Sequence, residues 1–145
     1  MKKRSLLAIL LTFLSAAVVL GAGPQDEEHS ELEEHMERIE GAVKSLRRSL
    51  RDPANLEQSL ALVTDIQAAT IAAKGLTPHM AESVPEAERA AFVGAYRGMM
   101  LDFLDHQIVL ERALLAGDEE AVTAAFKEVR DMEDTGHERF TKEEE

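Results

Sequence analysis

Met36 and His137 are the residues in this chain whose side chains, taken together, suit a defined chemistry. One is a thioether and the other an imidazole, a soft donor and a borderline one. Facing each other across an apolar core, they make the axial ligand pair of a six-coordinate haem iron. A methionine on an apolar stripe ordinarily fills irregular gaps. A histidine near a helix end is ordinarily hydrogen-bonded or held by the helix dipole. The pair gains weight only if the fold brings the two residues level, so the elements between them decide the matter.

Those elements read as four helices. Ser30-Glu31-Leu32-Glu33 is a capping box, and Leu32, Met36, Ile39, Val43, Leu46 and Leu50 follow it at helical spacing as one continuous face. Asp52-Pro53 stops this helix and starts the second, with Asp52 as N-cap and Pro53 at the first helical position. Leu56, Leu60, Val63, Ile66 and Ala73 form the second stripe, which Gly75 ends. A connection through Pro78 leads to a second capping box, Ser83-Val84-Pro85-Glu86. The third helix turns Phe92, Tyr96, Met99, Phe103, Leu110 and Leu114 inward, Gly117 closes it, and Asp118 caps the fourth. Val122, Phe126, Val129, His137 and Phe140 form the last face. No segment alternates with period two. Short connections between long amphipathic helices imply an all-α, antiparallel up-down-up-down four-helix bundle.

In that bundle the first and fourth helices run in opposite directions. Met36 lies about 9 Å from the start of its helix, at ~1.5 Å per residue, and His137 lies a similar distance from the end of its own. The two positions therefore come level, both on inward stripes.

Composition limits what else the chain can be. Met1-Lys2-Lys3-Arg4 precedes an uncharged apolar run from Leu6 to Leu20, a basic segment and hydrophobic core that read as a secretory signal. Residues 1–23 form that signal and residues 24–145 a single domain. The alternative is an uncleaved anchor, since Ser5 to Gly23 is long enough to span a bilayer. Loss of the signal changes 16 basic and 28 acidic residues to 13 and 28, a net charge near −15. Such a surface repels nucleic acid and anionic lipid and favours a cationic redox partner. It fits a periplasmic monomer free of the membrane once cleaved. The chain has no cysteine, which excludes covalent haem attachment through a Cys-x-x-Cys-His motif, thiolate metal sites, disulfides and a cysteine nucleophile.

The run Leu32-Glu33-Glu34-His35-Met36-Glu37 resembles the opening of the soluble periplasmic cytochrome b-562 family. The Thr77-Pro78 turn is similar to that family's Pro-rich link between its second and third helices. The segment from Gly117 to His137 has the family's spacing up to its axial histidine, without a gap. The resemblance implies that Met36 and His137 ligate one non-covalent haem b. It also implies that Tyr96 and Met100 lie near haem-packing positions, with Ile39 one turn below the methionine. Two positions depart from the pattern. Glu133 stands where the family has an arginine one turn before the histidine, and Thr141 where it has a basic residue one turn after. A carboxylate beside haem propionates is repelled or must be protonated. Arg139 and Lys142 are the nearby cations in sequence.

If haem binds, an iron filled on both faces leaves electron transfer as the function. The alternative is a copper or zinc site built from Glu133, His137, His35 or Met36, with His29 just before the first helix, or a helical bundle with no cofactor. An enzyme is not expected: there is no Ser-His-Asp constellation, no Gly-rich phosphate loop and no facing Glu-x-x-His pair.

Overall fold

The computed structural model describes residues 30–141; residues 1–23, the expected signal, lie outside them, as do His29 and Lys142. Four helices account for nearly all of this span: α1 Glu31–Ser49, α2 Leu56–Ala73, α3 Glu86–Ala116 and α4 Glu119–Phe140. They form an all-α bundle with no strand among the described residues.

Local chemistry sets most helix ends. The Ser30 capping box is complete: the Ser30 N–H donates to Glu33 Oε2 at 2.7 Å and the Glu33 N–H to Ser30 Oγ at 3.2 Å. α3 stops at Gly117, whose φ of 65° places it in the left-handed region that costs a side chain dearly. Asp118 then accepts from the Ala121 N–H at 3.0 Å and opens α4.

Two expected starts differ. Asp52 and Pro53 open a short 3-10 turn, Pro53–Asn55, and α2 begins only at Leu56. The second capping box does not form, and α3 starts at Glu86 with Pro85 before it. The proline is the cause, because it forces Val84 into an extended conformation (ψ 139°) where a box would need helix.

The core is one cluster that runs the length of the bundle. Leu32, Ile39, Val43 and Leu46 of α1 meet Val63, Ile66 and Ala73 of α2, Tyr96, Met100, Phe103, Leu110 and Leu114 of α3, and Val129 and Phe140 of α4. The α2 stripe sits differently from the expected one. Leu56 is exposed, and Ser59 and Thr70 are buried in the face instead. Ser59 and Ser49 satisfy each other at 2.8 Å, and Thr70 donates to the Ile66 carbonyl at 2.8 Å.

Cross-links fix the directions of the helices. Ser49 meets Ser59 while Arg38 donates to Asp65 at 2.9 Å, so positions fall on α1 as they rise on α2. Between α2 and α3 the pairs are Gln67 with Glu111 and Thr70 with Gln107. Phe140 of α4 meets the rings of Phe92 and Tyr96 of α3, and Met99 packs on Gly136. Successive helices thus run antiparallel. Close backbone approach occurs between α1 and α2, α2 and α3, and α3 and α4. α1 and α4, which complete the ring, stand further apart.

Candidate functional site

The looser α1–α4 seam contains a cavity of about 210 Å³. Glu40, Val43, Lys44 and Arg47 form its α1 wall, and Arg130, Glu133, Asp134 and His137 its α4 wall. Glu40 and Glu133 each feel the charge of His137, so position 40 lies level with the 133–137 turn. Met36 is one helical turn beyond Glu40. It therefore comes level with the segment that begins at His137, and its side chain is half-buried against the core. His137 thus stands at the cavity, whereas Met36, one turn beyond Glu40 on the opposite helix, is not among the residues that line it.

His137 does not point inward, contrary to the sequence expectation. Its neighbours Gly136 and Phe140 take the buried positions, and the imidazole is exposed at the cavity. The helical period explains the shift. Val129, Gly136 and Phe140 recur at spacings of seven and four, which leaves position 137 about 100° round from the core. Gly136 supports this arrangement, since a Cβ there would lie 2.9 Å from Met99 Cε. Among the described residues the His137 side chain makes no hydrogen bond, though its charge acts on Glu40 and Glu133.

The other expected residues divide differently. Ile39, Tyr96 and Met100 are fully buried in the core and do not line the cavity. The Tyr96 hydroxyl donates to the Ala73 carbonyl at 3.1 Å, and burial pushes its pKa up to about 12. Tyr96, Phe92 and Phe140 form an aromatic group behind the seam, with centroids 5.2 and 5.4 Å apart.

Electrostatics at the cavity are mixed. Burial raises the Glu133 carboxyl above the ordinary range, and the nearby His137 only partly offsets this. A hydrogen bond from Lys44 holds Glu40 below that range. Lys44, Arg47 and Arg130 bring three cations to the same walls. Sequence reasoning looked for cations near the histidine in the chain and missed these, which come from α1 and from an earlier turn of α4. Arg139 instead lies over the Phe140 ring at 5.2 Å.

For a haem ligated by methionine and histidine, the donors fit in type and lie on the two helices that flank the cavity, but Val43 is the one apolar residue among those that line it. The cavity is smaller than the ~300–1,000 Å³ usual for a bound organic molecule, so a haem enters only if α1 and α4 part. The copper or zinc alternative finds less. No three of the His, Asp and Glu residues among those described converge as a metal cluster. His35 lies 4.0 Å from Glu31, and His79 lies 3.7 Å from Glu33. None of the described helices is long and apolar enough to cross a membrane.

Comparison with family models, with curated proteins and with solved structures finds no match to this chain.

Proposed function

We propose that this chain is an exported, periplasmic electron-transfer protein that holds one non-covalent haem b between Met36 and His137. The reading is carried by one observation: His137 presents an exposed imidazole at a cavity between α1 and α4, the helix pair that also carries Met36. The similarity of the Leu32–Glu37 run to the cytochrome b-562 family supports it.

A haem held by Met36 and His137 would supply a one-electron iron couple, and with both residues as ligands it would have no place for oxygen or substrate. The protein's own residues set the terms of binding. His137 presents its imidazole at the seam, and Met36 supplies a thioether that favours the reduced state relative to a second imidazole. Tyr96, Phe92 and Phe140 exclude water behind the site. Lys44, Arg47 and Arg130 offset Glu40 and Glu133 where anionic groups of the ligand approach. The acidic surface, with a net charge of −12 for the whole chain, draws a cationic redox partner.

Visible spectra of the protein supplied with haem, oxidised and then dithionite-reduced, test the reading. Sharp Soret, α and β bands on reduction are expected, typical of low-spin six-coordinate iron. Met36→Ala should lose the low-spin signature and lower the reduction potential, and His137→Ala should weaken retention more. Equal haem loading and identical spectra in both variants would refute the assignment.

A further inference from the structure

The core stripe of α3 has a second stripe beside it. Tyr96, Met100, Phe103, Gln107, Leu110 and Leu114 face the core. Each position one residue on belongs to a parallel row along the α2 side, in which Arg97, Leu101 and Leu115 are exposed and Leu104, Ile108 and Glu111 half-buried. Its spacing alternates four and three, as in the contact seam of a coiled coil. α2 repeats the pattern, with Leu60, Thr64, Gln67, Ile71 and Lys74 one position after its own core row. The two outer rows lie together, because Gln67 Nε2 donates to Glu111 Oε2 at 2.7 Å across them.

This lip of the bundle is apolar in the open. Ile71 is 52%, Leu101 45% and Leu115 66% exposed. α2 carries two charged residues in eighteen, Glu57 and Asp65, against nine in nineteen on α1 and ten in twenty-two on α4. A helix apolar on more than its core face is ordinarily covered on more than one side.

We propose that the α2–α3 outer face is the contact surface for a second copy of this chain, giving a two-fold dimer. Two features select a second copy. The first is the row's own symmetry. Leu101, Ile108 and Leu115 are spaced by seven residues on either side of Ile108. A two-fold axis beside Ile108 sets Ile108 on Ile108 and Leu101 of each copy on Leu115 of the other, the self-complementarity that an isologous interface needs. The second is charge. In an acidic chain this near-neutral face is where two copies meet without opposing their carboxylates, whereas a cationic partner is drawn to the other faces. This dimer departs from the monomer expected from the sequence and stands whether or not haem is held.

The footprint is modest. The row from Arg97 to Leu115 is about 27 Å long at ~1.5 Å per residue, and two helices ~10 Å apart make the patch roughly 500 Å² per copy. Standard interfaces bury about 800 Å² per partner, so the dimer belongs to the weak, reversible class.

Sedimentation of the full chain across a range of concentrations should show reversible monomer–dimer exchange. Leu115→Glu should weaken it about tenfold or more, because the dimer covers two copies of this side chain, each 66% exposed in the single chain. A monomeric mass at every concentration overturns the proposal. The absence of cysteine allows an independent check that does not depend on a destabilising charge. Under mild oxidant, Ile108→Cys should cross-link with itself, and Leu101→Cys should cross-link with Leu115→Cys in a mixture. Leu101→Cys alone should not, since its two copies stand about 21 Å apart along the helix, beyond disulfide reach. Cross-linking of Ile108→Cys no faster than a Glu128→Cys control on the exposed face of α4 refutes the interface.

Discussion

Gln107→Leu should stabilise the protein, although it deletes a buried hydrogen bond. Gln107 is 1% exposed, and its Nε2 donates to Thr70 Oγ1 at 2.9 Å. Thr70 commits its one proton to the Ile66 carbonyl at 2.8 Å, so toward Gln107 it can only accept. That fixes the amide orientation and leaves Gln107 Oε1 buried without a partner. An unpartnered buried acceptor costs about 1–3 kcal/mol, whereas the bond to Thr70 contributes about 0.5–1.5 kcal/mol net. Leucine nearly fills the same volume and leaves the Thr70 bond to Ile66 intact. The net gain is about 1 kcal/mol, or a rise of roughly 4 °C in Tm for a domain of this size. Thermal and urea unfolding followed by circular dichroism measure it, with an unchanged urea slope as the check that the unfolded state is unaltered. Thr70→Val alone should destabilise, because it strips the partner from Nε2, and adding Gln107→Leu should recover most of the loss. If Gln107→Leu costs more than about 1 kcal/mol, the reasoning fails: Oε1 is then satisfied in solution and the pair is a net contributor.

The remaining predictions concern the seam and the core behind it. Glu133→Gln should raise stability at neutral pH. Burial lifts the folded carboxyl above its ordinary range, so the charged form costs the fold stability; that cost is full above the raised pKa and vanishes below the ordinary carboxylate range. Parallel unfolding curves at pH 7 and pH 4 should therefore diverge at 7 and converge at 4; a constant offset would contradict the shift. Tyr96→Phe should cost only about 0.5–1.5 kcal/mol in urea titrations, because the Ala73 carbonyl keeps a bond from the Leu76 N–H at 3.0 Å. A loss of several kcal/mol would mean that the hydroxyl organises more than this carbonyl.

The helices were legible in the sequence, and the site only partly so. Capping chemistry is local, so Ser30, Gly117 and Asp118 announce their roles within four residues of chain. The failures occur where two local signals compete. At Ser83-Val84-Pro85-Glu86 the proline overrides the box, and at Asp52-Pro53 the cap serves a 3-10 turn ahead of α2. The inward stripe of α4 was misjudged because Gly136, without a side chain, gives no apolar signal, while His137 beside it draws attention. The polar core members Ser59, Thr70 and Gln107 carry no hydrophobic signal either; only their position in the four-three rhythm could have disclosed them. That α1 and α4 would run antiparallel, with Met36 and His137 toward the same end of the bundle, was readable from helix order and direction. That His137 would stand at a cavity with Lys44, Arg47 and Arg130 was not, since those residues meet only through the fold.

The looseness between α1 and α4 also bears on the order of folding. Each close helix contact joins neighbours in the chain, across connections of a few residues, so the hairpins α1–α2 and α3–α4 and their α2–α3 join form from local encounters. The α1–α4 seam alone asks the two ends of the domain to find each other, and it is the last and weakest closure. A ligand taken up there acts as a clasp on a nearly finished molecule. It adds to stability in proportion to the logarithm of its concentration over its dissociation constant, and it can leave through opening of the terminal helices while the rest of the bundle stays folded.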